Sequence, residues 1–376
     1  MNSDQVKTRV ARLGRVRERM GELGVDVLLL SLGADLPWLT GYEAMPLERL
    51  TMLVLPADGD ATLVVPRLEA PRVEHHEDLF GLHPWSETED PVAIVASLVG
   101  SGGSVRISDR CWAAPLLALQ AALPAASWGR ASEVTGPIRA VKDASEVVAL
   151  MAAGAAADRV AEALLAGEIK LVGRREREVS EELGARLRAE GHAKVNFAIV
   201  GSGPNSASPH HEPGDRVIEV GEPVVCDFGG TLHLDGDVGY CSDITRTVVA
   251  GGVAPAEFVE FYGVLQEAQA AAVVGAVVSM PCETVDAIGR DVIAAAGYGD
   301  AFIHRIGHGI GIEEHEDPYM VSGNGTLLVE GHAFSVEPGI YLSGRFGARI
   351  EDIVIASERG PIACNKADHS LHVVGA

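Results

Sequence analysis

Residues Pro223–Val249, PVVCDFGGTLHLDGDVGYCSDITRTVV, decide how the rest of the chain is read. Val224 and Val225, then Thr245 to Val249, are two short β-rich runs. The Gly, Asp and His residues between them are turn formers, so the stretch predicts a hairpin. Each arm carries an acid: Asp227 ends the first run and Asp243 opens the second. Folding the hairpin back places both carboxylates at one sheet edge, facing the same cavity. Like charges repel and burial penalises each carboxylate, so an apolar hairpin that holds both calls for a compensating cation. For an arbitrary pair of aspartates, two solvated turn residues are the commoner case. The reading therefore turns on whether the chain supplies further ligands.

Three later stretches do. HRIGHGIGIEEHEDP, His304 to Pro318, places His304, His308 and His315 in a glycine-dense segment where backbone can approach a ligand closely. SVEPGIY and RIEDIVI, which hold Glu337 and Glu351, predict a second hairpin around Ser343-Gly344-Arg345-Phe346-Gly347. The two hairpins mirror each other, with Asp227 and Asp243 lying 16 positions apart and Glu337 and Glu351 lying 14 apart. An internal pseudo-twofold would bring the four carboxylates together. Singly, His308 reads as a structural histidine and Glu337 as a strand-end glutamate. Four carboxylates in apolar strands plus one imidazole make a ligand set for two divalent ions about 3.5 Å apart.

Composition bounds the alternatives. At 376 residues the chain exceeds the usual size of one core, so two domains are expected, and 47% hydrophobic content suffices for both. A net charge of −23 argues against a phosphate-backbone or anionic-membrane partner, so neither nucleic acid nor membrane is expected. Met1 to Met20 is charged and amphipathic, unlike a signal peptide, and no apolar run reaches about 18 residues. A soluble, cytoplasmic protein is expected. The five cysteines, Cys111, Cys226, Cys241, Cys282 and Cys364, are odd in number and lack CxxC spacing, which indicates neither a disulfide framework nor a thiolate zinc site.

In chain order, the first third reads as an α/β unit. Val6, Val10, Leu13, Val16, Met20 and Leu23 keep helical spacing up to Gly24, and Val25 to Leu32 is an apolar run suited to a buried strand. TMLVLP and ATLVVP flank the turn formers Ala57-Asp58-Gly59-Asp60, and SVRISD leads into a helix from Trp112 to about Ala122. His75, His76 and His83 read as residues of a solvated polar loop. A loop around Gly136-Pro137 divides the chain into domains 1–136 and 137–376. The second domain opens with a capping box at Asp143-Ala-Ser-Glu146 ahead of a helix ending near Ala166. A helix striped by Val179, Leu183 and Leu187 stops at Gly191. Another runs from Pro255 to about Val278, and a further one from about Glu283 to Ala296. Helices segregated from antiparallel hairpins predict an α+β domain, with helices on one face of a curved sheet and a cavity on the other.

DFGG followed by GYCSDITRT, then GHGIGIEEHE, VEPGIY and RIEDIVI, in that order, resembles the M24 metallopeptidase family. That family includes methionine aminopeptidase, aminopeptidase P and prolidase, and has the pita-bread fold. The resemblance implies metal ligands at Asp227, Asp243, His308, Glu337 and Glu351. It implies a catalytic-site histidine at His210, which lies 17 positions before Asp227, the family's interval; His211 misses that interval by one. It further implies a catalytic contact from His315 and a substrate pocket lined by His304 and Arg349. WLTGY, Trp38 to Tyr42, and LVVPRLEA, Leu63 to Ala70, are similar to the creatinase-type N-terminal domain of the proline-specific branch. Creatinase shares both domains but lacks the metal ligands, which are all matched here. The turn LHLDGDVG makes the interval between the two aspartates longer than is usual in the family, so Asp235 and Asp237 are alternative first ligands, with Asp227 preferred because it ends the apolar run.

The expected activity is metal-dependent hydrolysis of the bond between an N-terminal residue and a following proline, by an Xaa-Pro aminopeptidase or dipeptidase. The expected cofactors are two divalent ions. Oxygen ligands with one imidazole favour Mn²⁺, with Co²⁺, Fe²⁺ or Zn²⁺ able to take the same geometry. Glu337 is expected to carry the proton to the leaving nitrogen, with His210 and His315 donating hydrogen bonds to the developing oxyanion. The partner is a proline-containing peptide, and the resemblance implies a homodimer. The alternatives are an M24 peptidase of other specificity and a non-catalytic pita-bread binding protein.

Overall fold

A computed structural model describes residues 1–374. The chain divides into two compact units: Met1–Arg139 together with Asp235–Val238, and the remaining described residues from Ala140 onward.

The first unit opens with α1 (Ser3–Leu23), whose N-terminus is closed by a capping box between Asn2 and Gln5 and whose end is Gly24 at φ 62°. There follow β1 (Val27–Leu30), α2 (Asp35–Thr40), β2 (Met52–Pro56), β3 (Thr62–Pro66), β4 (Gly81–Trp85) and α3 (Pro91–Val99). The unit closes with β5 (Ser104–Ile107), α4 (Ala113–Ala122), β6 (Ser127–Arg130) and α5 (Ser132–Ala140). Its sheet has the order β4-β3-β2-β1-β5-β6, and only the β1–β2 and β2–β3 pairings are antiparallel. All four residues of β1 are buried, as a run apolar on both faces requires.

Two expectations for this unit need correction. His83 lies in β4, not in a polar loop; the strand sequence GLHPW has no β-branched residue, and its Pro84 is tolerated because β4 is an edge. The expected loop at Gly136-Pro137 is part of α5. Pro137 removes one ladder bond from this nine-residue helix, which is held instead by burial of Val134, Thr135 and Ala140.

The second unit begins with α6 (Ala144–Leu165), where the Asp143 side chain accepts from the Ser145 and Glu146 amides and Glu146 accepts from the Asp143 amide. Next come α7 (Glu176–Ala189), β7 (His192–Ser202), β8 (Pro223–Leu232), β9 (Tyr240–Cys241) and β10 (Ile244–Ala250). Two helices follow, α8 (Ala256–Gly275) and α9 (Cys282–Ala295). The first stops at Gly275, short of the expected Val278, and Pro255 is its N-cap rather than its first residue. The chain then adds β11 (Gly307–Gly309), β12 (Glu316–Met320), β13 (Ala333–Val336), β14 (Gly339–Leu342), β15 (Phe346–Arg349), β16 (Asp352–Ile355), β17 (Ile362–Ala363) and β18 (Val373–Val374).

These strands form two five-stranded sheets and a ribbon. One sheet has the order β18-β10-β8-β7 with β9 on β8, the other β12-β11-β13-β16-β17, and β14 pairs with β15. In the first, Asp227 lies opposite Thr245; in the second, Val336 lies opposite Asp352. An antiparallel bridge from Thr245 to Glu351 joins them, with the Glu351 amide donating to the Thr245 carbonyl at 3.1 Å. Each sheet is backed by its own helix pair. Val160, Leu164 and Leu183 pack with Val224, Phe228 and Val248, while Phe258, Leu265 and Ile293 pack with Phe334, Val336 and Val354. With the helices on the outer faces, the carboxylates sit where the two sheets meet.

Candidate metal centre

Each carboxylate is placed by strand geometry. Asp227 is on β8, Asp243 directly precedes β10, Glu337 follows β13 and Glu351 directly precedes β16. His308 is the middle residue of β11, between two glycines at which an added Cβ would strike the Ser335 carbonyl in one case and the Glu316 and Asp317 carbonyls in the other. A side chain at either glycine would force this strand away from its neighbours. The His308 amide donates to Ser335 Oγ at 2.9 Å, and Ser335 Oγ donates to Glu337 Oε1 at 3.1 Å. One serine thus ties together two of the predicted ligands.

Asp243, His308 and Glu351 each offer a ligand atom, all within 4.8 Å of one another. His308 Nε2 lies 3.3 Å from Glu337 Oε1 and 3.8 Å from Asp243 Oδ2. Asp227 Oδ1 and Asp243 Oδ1 are buried with no hydrogen-bond partner. Orphaned buried carboxylate oxygens are costly. Here they fit divalent cations: four carboxylates and one neutral imidazole converge, and two of the oxygens have nothing else to bind.

The electrostatics agree. Burial and then mutual repulsion raise Asp243 well above the ordinary carboxylate range, and Glu351 likewise. Burial pushes Glu337 up to about 7 against the pull of Arg349. Burial and then the His315 ring bring His308 down to about 3, so its imidazole is neutral and its lone pair free for a cation. Arg349 also faces these carboxylates, its guanidinium Nη2 2.5 Å from Asp227 Oδ2. Its Nε donates to Thr245 Oγ1 at 3.0 Å, and that hydroxyl donates to Glu351 Oε2 at 2.7 Å. Its Nη1 donates to Tyr341 Oη at 2.8 Å and to the Pro209 carbonyl at 3.3 Å.

These groups line a cleft of about 710 Å³ in the second unit. All nine sequence-predicted residues face it: His210, Asp227, Asp243, His304, His308, His315, Glu337, Arg349 and Glu351. The His315 ring packs edge-on to His308 with centroids 4.0 Å apart, and burial lowers its pKa. His304 is brought down to about 4 by burial and then by Arg349, and its Nε2 lies 3.0 Å from Tyr341 Oη. The cleft walls include Phe197, Ile199, Ile303 and Val321, an apolar surface beside the acids. Asp235 and Asp237 are not part of it. Both fall in the first unit, where Asp237 pairs with Arg9.

Sequence reasoning missed Tyr341, Thr245 and Ser335. The signal for Tyr341 was available: across the β14–β15 ribbon it pairs with Gly347, two positions from Arg349 and on the same face. Thr245 and Ser335 act through single hydroxyls with no residue pattern around them.

Residues 149–358 match the family model described as Metallopeptidase family M24. The chain belongs to this family. Residues 12–141 match the Creatinase/Prolidase N-terminal domain, so the M24 catalytic domain carries the pita-bread fold behind a creatinase-type N-terminal domain. Similar solved structures include dipeptidase PepE from Mycobacterium ulcerans, 41% identical with a TM-score of 0.91 and 98% of each chain covered. A prolidase from Thermococcus sibiricus is 37% identical with a TM-score of 0.89, covering 96% of this chain and 97% of that one. Among curated relatives, the Xaa-Pro dipeptidase of Lactobacillus helveticus is 33% identical, covering 96% of this chain and 98% of its own. The chain is a metallopeptidase.

Proposed function

We propose that this protein is an Xaa-Pro dipeptidase that hydrolyses the bond between an N-terminal residue and a following proline. The observation that carries the reading is the buried convergence of Asp227, Asp243, His308, Glu337 and Glu351, with two carboxylate oxygens left unpartnered, in a cleft with an apolar wall. Relatives named for Xaa-Pro dipeptides along nearly their whole length support the substrate class. Asp227, Asp243, His308, Glu337 and Glu351 would hold two divalent ions, for which we propose Mn²⁺ on the ground of its affinity for oxygen-rich sites. When bound, such ions supply Lewis acidity toward a water and toward the scissile carbonyl.

The chain's own groups supply the rest. Glu337 Oε1 lies 3.3 Å from His308 Nε2, beside the other acids of the cleft, where a carboxylate can take a proton and return it. The nitrogen of a prolyl bond is tertiary and leaves only when protonated, so Glu337 delivers that proton. His210 and His315 donate hydrogen bonds where negative charge develops on the carbonyl oxygen. Burial keeps His315 uncharged, which leaves it a neutral N–H donor. Arg349, held by Asp227, Thr245, Tyr341 and the Pro209 carbonyl, lines the substrate pocket together with His304, which Tyr341 Oη links to it.

No helix among the described residues is long and apolar enough to cross a membrane. We propose a homodimer, as the resemblance implies, and a cytoplasmic location, on the ground of the charged, amphipathic stretch Met1 to Met20. The test of function is metal-dependent release of the first residue from Gly-Pro. Cleavage of a Xaa-Pro-Xaa tripeptide in preference to the dipeptide would reassign the protein to the aminopeptidase branch.

A further inference from the structure

His210 carries no hydrogen bond on its ring among the described residues, yet it lines the cleft and is assigned a role there that depends on its direction. Its neighbours are tightly held. On one side, the Pro209 carbonyl accepts from Arg349 at 3.3 Å. On the other, His211 Nε2 lies 2.8 Å from Glu176 Oε2. Glu176 is the first residue of α7, is wholly buried, and lies 35 positions from His211 in sequence.

Every partner of this carboxylate is a donor. Its Oε1 accepts from the Ser202 amide at 2.8 Å, from Ser202 Oγ at 2.8 Å and from Asn205 Nδ2 at 3.0 Å. Its Oε2 accepts from His211, from Asn205 Nδ2 at 3.1 Å and from the Gly214 amide at 3.4 Å. Burial works against the ionised form, but these bonds outweigh it and bring the pKa below the ordinary value. One buried anion therefore gathers the end of β7 and both limbs of the loop that follows it. Ser206 of the same loop accepts from the Gly347 amide at 2.9 Å, which ties the loop to the strand that ends in Arg349.

We propose that Glu176 and His211 are positioning residues that aim His210 into the reaction site. His211, one position off the family interval, does not share the catalytic role with His210; it acts through it. The proposal rests on the reading of His210 as a donor to the scissile carbonyl. Misplacement of such a group by about 1 Å can cost about 10²-fold in rate.

The test is a double-mutant cycle on the metal-loaded protein with Gly-Pro as substrate. His211→Ala is expected to lower kcat about 10- to 100-fold, with KM and metal content near wild type. In a His210→Ala background the same change is expected to cost less than about 2-fold, because residues that act through one another are not additive. His211→Gln, whose amide can donate to the same carboxylate oxygen, is expected to recover most of the rate. A second readout needs no turnover. In the metal-free protein, the long-range ¹H–¹⁵N signals of the His210 imidazole, assigned by their loss in His210→Ala, are expected to shift or broaden in both His211→Ala and Glu176→Gln. Equal losses from His211→Ala in both backgrounds, or His210 signals unmoved in both variants, would overturn the proposal. If the wild type cleaves no Xaa-Pro substrate, the function is wrong, and the spectra alone then decide whether Glu176 and His211 set the position of His210.

Discussion

Removing the metal should make the protein's stability fall with rising pH in a range where the loaded protein's does not. In the metal-free state burial raises Glu337 from 4.5 to about 7, so the folded chain keeps a proton there that the unfolded chain has already lost. A carboxyl raised in the folded state favours folding while it stays protonated. That contribution disappears as pH climbs through its folded pKa. Between about pH 6.5 and about pH 8.5 the loss from Glu337 alone comes to about 0.8 kcal/mol. Asp243 and Glu351 are raised by burial as well and push in the same direction. Below about pH 6.5 the buried histidines oppose this trend. His308 and His304 are lowered to about 3 and about 4, so they remain neutral in the folded chain and lose stability as pH falls. The clean window is therefore the alkaline one. Bound cations keep the carboxylates ionised throughout and remove the trend. Urea midpoints measured with chelator and with Mn²⁺ at several pH values should show the gap widening from pH 6.5 to 8.5. A constant or narrowing gap would refute the claim that these carboxylates converge on a cation site.

Three substitutions probe the same architecture. Glu337→Ala should lower kcat by about 10²- to 10⁴-fold while circular dichroism and the thermal midpoint stay near wild type, and near-normal activity would remove Glu337 as the proton carrier. Arg246, buried between the sheets, donates to the Thr245 and Glu351 carbonyls at 2.9 and 2.8 Å, to Asp352 Oδ1 at 2.8 Å and to the Ala367 and Asp368 carbonyls at 2.8 and 3.0 Å. Arg246→Ala leaves Asp352 with His369 and Gln269 as its side-chain partners and strips four backbone carbonyls of their donor, so it should cost about 3 kcal/mol in denaturant unfolding and weaken metal retention. Gly307→Ala would drive a methyl group into the Ser335 carbonyl beside His308, so it should yield a protein that binds less metal even where it folds. Full metal occupancy in that variant would show the strand to be more yielding than its packing implies.

Much of the centre was legible because its ligands occupy strand ends and glycine-rich turns, which local sequence specifies well. The mirrored hairpins announced Asp227, Asp243, Glu337 and Glu351, and the caps at Asp143 and Gly24 marked helix ends by the groups that satisfy the backbone there. What local pattern hid was long-range. Glu176 reads as an ordinary first-turn helix acid until β7 and the loop after it fold back onto the carboxylate. Tyr341 reads as a β-former until the ribbon brings its hydroxyl between Arg349 and His304. Pro84 misled because its missing donor is harmless at a sheet edge, and Pro137 because burial of Val134, Thr135 and Ala140 holds the helix despite the lost ladder bond. Among Asp227, Asp235 and Asp237 the sequence favoured Asp227 because it ends an apolar run, and Asp227 is buried on β8 while the other two fall in the first unit.

The most direct test of the central claim is hydrolysis of Gly-Pro by protein stripped with chelator and then reloaded with Mn²⁺, with a Xaa-Pro-Xaa tripeptide run alongside. The account predicts that glycine is released from the dipeptide, that release stops on stripping and returns on reloading, and that the tripeptide is the poorer substrate. A protein that holds two metal ions per chain and cleaves neither peptide would contradict it.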